Sequence, residues 1–327
     1  MKQRVIVLIA LGMLGLTGCE RQTTVQKTES IMGTDVTVTV VAPSAKEGEA
    51  AIDAAMEELR RLDRMMSLYK DGSEITRLNL AAGEHSVTVS PELIEVVQHA
   101  RQVSELSGGA FDVTIGPLAV LWQMKLKERA VPSDREIKAV LSRVNYKDVL
   151  VDKKGSTIFL TRKGMIMDLG GVAKGYAADR AAEALRKQGI LNALVAVAGD
   201  IRAMGRREDG KPWRIGVQHP READKTLAAL ELSDRSISTS GDYERFTIIN
   251  KKRFHHILDP RTGKPSEGME SVTVIGDQGA VLDPLTTALF ILGPEKGMQL
   301  VKDLGYEAIF VDDKGSIVNT KGINVSQ

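Results

Sequence analysis

The segment from Gly164 to Gly175 reads GMIMDLGGVAKG and joins a short apolar run to an acid, two adjacent glycines and a helix start. The apolar run predicts a strand, and the residues from Lys174 to Lys187 predict a helix. Glycines at such a turn let backbone groups approach a ligand, and a helix N-terminus attracts anions. Lys174 adds a positive charge where a phosphate would lie, although the spacing matches neither the dinucleotide-binding fingerprint nor the Walker A loop. A plain strand-to-helix turn explains the segment equally well.

Helices and strands alternate along the chain on both sides of this segment. Helix-start patterns occur at Ser44, Ser90 and Ser133, and β-branched runs such as 36–41 predict strands. Because the runs 149–161 and 309–318 are typical of hairpins, we predict an α+β fold with mostly antiparallel sheets and packed helices. The echo of VDKKGS at 151–156 in VDDKGS at 311–316 suggests internal duplication, although two hairpin turns can share such a sequence for local reasons.

The composition indicates an ordinary folded protein. Of its 327 residues, 43% are hydrophobic and 27% are charged, and 44 basic side chains face 43 acidic ones. A near-neutral balance argues against general nucleic-acid binding, which needs a basic excess.

The N-terminus is typical of an exported bacterial lipoprotein. A basic start precedes the apolar run from Val5 to Leu16, which is too short to span a membrane but suits a signal peptide. The sequence LTGC ending at Cys19 resembles a lipobox, so we expect cleavage before Cys19 and lipidation of its thiol. The alternative is a cleavable signal with an incidental cysteine. Since Cys19 is the only cysteine, disulfides and zinc–thiolate sites are excluded.

These patterns divide the chain into three parts. We predict a lipoprotein signal peptide at 1–18, a polar tether at 19–28 and a single domain at 29–327. The protein would then face the periplasm from a bacterial membrane, and Glu20 after the lipidated cysteine favours the inner membrane.

Two further clusters carry candidate chemistry. The segment STSG at 238–241 offers hydroxyl donors, and HHILDPRTG at 255–263 places histidines beside Asp259, which suits a general base. The alternative is a polar hairpin that ends in a turn. On a strand the adjacent rings of His255 and His256 would face opposite ways.

The segment DPLTT at 283–287 offers oxygen ligands of the kind that Mg²⁺ prefers. Asp283 and Thr287 are four residues apart and would share one face of a helix that begins at Asp283. An equally physical alternative is that Asp283 caps the helix and Pro284 takes its first position. The segment GGAFDVTIGPL at 108–118 would lie against a flat ligand or simply end a helix.

Together these clusters resemble the ApbE family, the FAD:protein FMN transferases, in the order in which that family has them. Further matches are MGT at 32–34, SLY at 67–69 with SEI at 73–75 and LN at 78–79, and the stretch 192–200, so the resemblance covers about residues 30 to 295. Two departures stand out. The family often has Gly-Gly-Asp where this chain has Ala198-Gly199-Asp200, and often has Ala or a second acid where this chain has Pro284 and Thr286. A missing second acid would weaken metal binding.

The resemblance implies Mg²⁺-dependent transfer of FMN from FAD to a Thr or Ser hydroxyl of an acceptor protein, with release of AMP. It implies that His256 is the catalytic base. It implies an FAD site lined by Met32, Tyr69, Ala110, Phe111, Asp112, Asp168, Lys174 and Leu258. It implies a Mg²⁺ site made by the backbone oxygen of Gly171 with Asp283, Thr286 and Thr287.

Acceptors implied by the family are subunits of exported respiratory complexes with an Asp/Ser-Gly-Ala-Thr/Ser-type motif. This chain contains no such motif, so self-modification is not expected. Two other hypotheses stay open at this point: a Mg²⁺-dependent FAD pyrophosphatase that uses water as the acceptor, and a flavin-binding or iron–sulfur-maintenance lipoprotein without catalysis. The presence of both His256 and Asp283 argues against a pure binding module.

Overall fold

The computed structural model describes residues 22–323, which form fifteen strands and seven α-helices. The strands are β1 (Thr23–Ile31), β2 (Thr34–Ala42), β3 (Val87–Thr88), β4 (Val149–Asp152), β5 (Thr157–Leu160), β6 (Asn192–Val197), β7 (Asp200–Met204), β8 (Trp213–Gln218), β9 (Thr226–Leu232), β10 (Ser236–Gly241), β11 (Phe246–Ile249), β12 (Lys252–His255), β13 (Met269–Gly276), β14 (Glu307–Asp312) and β15 (Ile317–Asn319). The helices are α1 (Ala45–Met66), α2 (Glu74–Leu80), α3 (Pro91–Leu106), α4 (Gly116–Lys127), α5 (Asp134–Leu141), α6 (Ala173–Lys187) and α7 (Gly279–Leu304).

Eight strands form one antiparallel sheet in the spatial order β1-β2-β6-β7-β10-β13-β14-β15. Helices α1, α6 and α7 pack on one face of this sheet, and the β8–β9 hairpin covers part of the other face. Because both faces are covered, the central strand β13 is buried at all eight positions. The predicted α+β class with mostly antiparallel sheets is confirmed.

The helices begin where local chemistry satisfies their free backbone N–H groups. The Ser44 hydroxyl accepts from the backbone N–H of Glu47 at the start of α1, and Ser133 forms a reciprocal capping box with Glu136 at the start of α5. Helix α1 turns an apolar stripe to the sheet, formed by Ile52, Ala55, Met56, Leu59 and Leu62. Sequence periodicity therefore predicts these helices well.

Smaller units flank the main sheet. Helices α4 and α5 enclose a satellite core with Leu258, and the Trp122 indole donates to the Gly263 carbonyl at 2.7 Å. The β11–β12 hairpin leads directly into His256. Within residues 22–323, the structure contains no helix long and apolar enough to cross a membrane.

Three sequence predictions need correction. The tether assigned to 19–28 is wrong from Thr23 onward, because β1 pairs with β2 along its whole length and its outward side chains are polar. The run 164–167 is no strand and makes a single bridge through Ile166. Helix α7 begins at Gly279, four residues before Asp283, so Asp283 is not its cap. Cys19 and the segment predicted as a signal peptide lie outside the described residues.

The repeated VDKKGS and VDDKGS segments are both hairpin turns. Asp152 accepts from the backbone N–H of Lys154 at 3.0 Å, and Asp312 accepts from that of Lys314 at 2.9 Å. The two hairpins belong to different sheets. Turn chemistry is therefore sufficient to explain their shared sequence, without duplication.

Candidate active site

The site is built where the first turns of α6 and α7 cross, and we call this contact the helix crossing. A Cβ added to Gly175 would meet the Gly279 carbonyl oxygen at 2.1 Å, and one added to Gly279 would meet the Gly175 oxygen at 2.6 Å. Only glycine allows two backbones to approach so closely. Neither helix has a side-chain cap from its own N-cap residue, so each depends on the other chain segment for its free N–H groups.

A cation and two buried carboxylates lie at this crossing. The Lys174 ammonium is 2.9 Å from Asp200 and 3.1 Å from Asp283, and the two acids are 2% and 3% exposed. Burial alone would lower the pKa of Lys174, but the charges of Asp200 and Asp283 outweigh it and raise that pKa. Burial, followed by the nearby charge of Asp283, raises the pKa of Asp200. We call Lys174, Asp200 and Asp283 the carboxylate cluster.

Hydroxyl groups extend the carboxylate cluster along β10 and α7. Ser238 donates to Asp200 at 2.5 Å, and Ser240 lies 2.9 Å from the Thr286 hydroxyl and 3.3 Å from that of Thr287. Ser238 and Ser240 share one face of β10 because side chains alternate along a strand. This network orients both carboxylates and hydroxyls before any ligand arrives.

The predicted metal ligands of α7 lie here, and they differ in burial and in hydrogen bonding. The Thr286 hydroxyl is fully buried and donates to the Asp283 carbonyl at 2.8 Å, so Thr286 supports its neighbours. Thr287 is half-buried, and its hydroxyl lies 3.9 Å from the point where a Gly171 Cβ would stand. Asp283, Thr287 and the Gly171 backbone remain the predicted oxygen set, and of these Thr287 and Gly171 lie next to each other.

That oxygen set fits a hard cation that also binds substrate phosphates. Within residues 22–323, no three His, Cys, Asp or Glu side chains cluster to hold a metal. Mg²⁺ commonly needs only one or two carboxylates, because phosphates and water complete its coordination. Lys174 lies 3.1 and 3.2 Å from the two Asp283 oxygens, so Asp283 already faces a cation in this structure.

The segment 110–112 lies against the Asp168–Gly171 turn. The Asp168 backbone N–H donates to the Val113 carbonyl at 2.7 Å, and the Phe111 ring lies 3.0 Å from the place of a Gly171 Cβ. Ala110, Phe111 and Asp112 are buried. These contacts bring two of the predicted FAD-binding segments together.

Asp112 and Asp168 use their carboxylates locally. Burial raises the pKa of Asp112, which accepts from Thr114 and from the Tyr146 backbone N–H at 2.7 Å. Asp168 accepts from the Gly170 backbone N–H at 2.8 Å and holds the glycine turn. Asp112 thus shapes the wall of the site, whereas Asp168 is only half-buried and can still meet a ligand.

Met32 lies at the same end of the sheet as Asp200. Met32 and Gly33 form the β1–β2 turn with φ values of 56° and 71°, and the Ala198 N–H donates to Asp35 at 3.2 Å. Ala198 has a φ of 53°, a conformation that costs a residue with a Cβ more than glycine. The departure from Gly-Gly-Asp therefore falls on a strained position.

Tyr69 and Leu258 are placed less directly. Tyr69 is 83% exposed on the loop between α1 and α2. Helix α2 contacts the site through Asn79, which hydrogen-bonds both backbone groups of Met167. The Leu258 side chain is buried in the satellite core with Trp122. Their contact with FAD stays a prediction.

His256 and His255 face opposite ways, as predicted. His255 is buried, and its ring nitrogens contact the Ser266 carbonyl at 2.8 Å and the Ile257 N–H at 3.3 Å. His256 lies at the surface, with Nδ1 3.3 Å from the Arg245 carbonyl. The neighbouring acid Asp259 pairs with Arg261 at 2.8 Å.

His256 is neutral at physiological pH. Desolvation by the walls around the ring, followed by the charge of Arg245, lowers the pKa of His256 to about 3. A neutral imidazole can accept a proton, so the ring is in the form that a general base needs.

Sequence reasoning missed Asp200 and the roles of Ser238 and Ser240. Their signals were present: Asp200 follows a glycine, and the two serines are two residues apart, which is the spacing of one face of a strand. What no local pattern showed is that they meet Lys174 and Thr286.

Comparisons with known proteins identify the family of this chain. The family model described as "ApbE family" matches residues 32–310. A Klebsiella pneumoniae (strain 342) protein named FAD:protein FMN transferase is 35% identical over 273 residues, 83% of this chain and 84% of that protein. A Vibrio cholerae protein of the same name is 33% identical and covers 90% of both chains.

Solved structures show the same fold. The ApbE protein of Thermotoga maritima superposes with a TM-score of 0.84 at 32% identity, over 91% of this chain and 97% of that one. The apo flavinyl transferase ApbE of Pseudomonas stutzeri gives a TM-score of 0.81 at 33% identity, over 92% and 95%. A histidine-to-glycine variant of the Vibrio cholerae flavin transferase gives 0.80 at 30% identity, over 91% and 98%.

Proposed function

Because this chain belongs to the ApbE family, we propose that it transfers FMN from FAD to a protein hydroxyl in a Mg²⁺-dependent reaction. The acceptor oxygen bonds to the phosphorus of the FMN half, the bond from that phosphorus to the AMP oxygen breaks, and AMP leaves. The hydroxyl proton passes to a base. Such phosphoryl transfer depends on charge neutralisation and on alignment of the nucleophile.

One observation carries the proposal: a prebuilt cluster of opposite charges at two helix N-termini, where a diphosphate would bind. Lys174 bridges Asp200 and Asp283 beside the Gly170–Gly171 turn. The positive end of a helix and a lysine favour phosphate oxygens at such a place. Lys174 can stay on Asp200 while Asp283 turns toward a divalent ion.

Mg²⁺ would be held by Asp283, Thr287 and the Gly171 carbonyl, and when bound it would neutralise charge on the diphosphate. Thr286 and Ser240 keep these ligands in place through their hydroxyl contacts. Asp200 keeps the Lys174 ammonium next to the phosphates. The chain thus supplies preorganised charge and needs no covalent intermediate.

His256 is the base that we propose for the incoming hydroxyl. It is neutral, exposed and within electrostatic reach of Lys174, whose charge also lowers its pKa. An exposed base suits a protein substrate, because a surface residue of the acceptor must reach it.

The test is incubation of the protein with FAD, Mg²⁺ and an acceptor that carries the Asp/Ser-Gly-Ala-Thr/Ser motif. We expect an FMN mass on the acceptor and stoichiometric AMP, both lost with EDTA. A control acceptor with Ala at the modified Thr should gain no mass. AMP and free FMN produced at the same rate without acceptor would instead establish the pyrophosphatase.

We also propose that the protein is a lipoprotein anchored through Cys19, facing the periplasm from the inner membrane, where acceptors are subunits of exported respiratory complexes. The LTGC sequence supports this proposal. Cys19→Ala should release or mislocalise the protein while the soluble domain keeps its activity. A wild-type protein with an intact N-terminus and no lipid by mass spectrometry would contradict it.

A further inference from the structure

Helices α6 and α7 exchange aspartates at the helix crossing. Each has the pattern Gly-x-x-x-Asp in its first turns, Gly175 to Asp179 in α6 and Gly279 to Asp283 in α7. Asp283 accepts from the Gly175 N–H at 3.1 Å. In return, Asp179 accepts from the Ala280 N–H at 3.0 Å and also from the Gly279 N–H. Each helix therefore caps the other.

Asp179 is held in place from the sheet side. The Ser236 hydroxyl of β10 lies 3.3 Å from the second Asp179 oxygen, and Arg202 of β7 donates to Ser236 at 3.2 Å. Burial raises the pKa of Asp179, and the N–H donors of α7 oppose that rise. The Asp179 carboxylate is thus an acceptor on α6 whose position is fixed by a hydrogen bond from β10.

The position of α7 along its own axis depends on this acceptor. Its N-cap residue, Gln278, provides no side-chain hydrogen bond, and Pro284 lacks the N–H of a normal helix interior. The glycine contact allows close approach but does not by itself set the register. Asp179 is the side chain of α6 that binds the first N–H groups of α7, and Asp283 of α7 binds α6 in return.

We infer that Asp179 is a positioning residue: it sets where α7 starts and thereby places Asp283 beside Gly175 and Thr287 beside Gly171. This inference rests on the proposed function. Asp179 touches neither FAD nor metal in it, and acts through Asp283, which lies one helical turn after Gly279. Small displacements of a ligand set reduce both metal affinity and rate.

Three variants separate geometry from charge. Asp179→Asn keeps an acceptor oxygen at the same place and loses the charge. Asp179→Glu keeps the charge and moves the acceptor by about 1.5 Å, one C–C bond. Asp179→Ala removes both. The matched control is Ser44→Ala, which removes the cap of α1 at the end of β2 opposite Met32.

The measurements are the half-saturating Mg²⁺ concentration for FMN transfer and the Mg²⁺-dependent rise in melting temperature with FAD bound. For Asp179→Glu and Asp179→Ala we expect half-saturation to increase by about tenfold or more, and for Asp179→Asn by less than about threefold. Ser44→Ala should lower the melting temperature by about 2 °C with unchanged Mg²⁺ dependence.

The inference is overturned if Asp179→Glu behaves like the wild type, or if Asp179→Asn fails as badly as Asp179→Glu, because charge would then matter and position would not. If Asp179→Ala does not fold, the Asn and Glu pair still decides. A wild-type enzyme that binds Mg²⁺ with FAD but transfers no FMN would refute the proposed function alone. A wild type without any Mg²⁺ effect would refute both.

Discussion

The two ends of the candidate site differ in how firmly the protein holds them. The carboxylate cluster is buried, paired and tied to four structural elements, α6, α7, β7 and β10. His256 is exposed at the end of a two-stranded hairpin and touches one backbone carbonyl. The comparison teaches that charge stabilisation is prebuilt, whereas proton transfer is left open to an arriving protein.

The largest effect should come from Asp283→Ala, which removes one acid of the carboxylate cluster. The variant loses the only carboxylate of the proposed Mg²⁺ set and the acceptor of the Gly175 N–H. We expect FMN transfer to fall by about 10³-fold or more, with about 1–3 kcal/mol of stability lost from the unsatisfied N–H. Activity and chemical denaturation are measured on one preparation. Near-normal turnover in a destabilised variant would leave Asp283 a purely structural cap.

At the open end, His256→Asn should slow transfer by about 10²- to 10⁴-fold while FAD binding and melting stay close to wild type. Because the pKa of His256 is lowered, the ring stays neutral as pH falls through 6.5. The acidic limb of the wild-type rate profile should therefore lie well below 6.5 and disappear in the variant. A limb centred at 6.5 would contradict the lowered pKa.

His255→Asn is the control for that variant. Its ring is buried with both nitrogens in contact with backbone groups, so we now expect a loss of about 1–3 kcal/mol in stability, with the base intact. Greater loss of rate per folded molecule in His255→Asn than in His256→Asn would reverse the assignment of the base.

Lys174→Met tests what holds the carboxylate cluster together. Removing the cation leaves Asp200 and Asp283 buried side by side, and loss of one partner from a buried pair costs about 3–5 kcal/mol. The charge of Lys174 lowers the pKa of Asp200, so its removal raises that pKa further, and the native variant binds a proton more tightly than the native wild type. The deficit of the variant should therefore shrink as pH falls toward 5. A deficit independent of pH would mean that the charges do not interact.

The smallest effect is expected at Ala198→Gly. Ala in a left-handed conformation costs about 1–2 kcal/mol of folding free energy, which glycine would not cost. Glycine is also more flexible in the unfolded chain, and this offsets about 0.5–1 kcal/mol of the gain. We therefore expect about 0.5–1 kcal/mol of added stability at unchanged activity, measured by denaturation. Gly199→Ala is the neighbouring control and should destabilise, since its Cβ would lie 3.0 Å from the Thr239 carbonyl.

Much of this molecule follows from local sequence. Ser44 and Ser133 predict helix starts because a cap involves residues three apart. Alternating apolar residues predict β2 and β6 because one face of each strand packs on helices. The motifs that named the family also pointed to Lys174, Asp283 and His256, since each chemistry needs a particular side chain.

Only the tertiary structure decided how those residues meet. Lys174 and Asp283 are 109 positions apart, and Asp200 joins them from a third element. The start of α7 at Gly279 could not be predicted from its own sequence, because its cap is Asp179 on another helix. The polar strand β1 was missed for the same reason: its partner β2 determines it, and its own pattern does not. Local hydrogen bonds join residues that are close in sequence, so the sequence predicts them. Buried charges and helix ends are satisfied by groups that only the fold brings within about 3 Å.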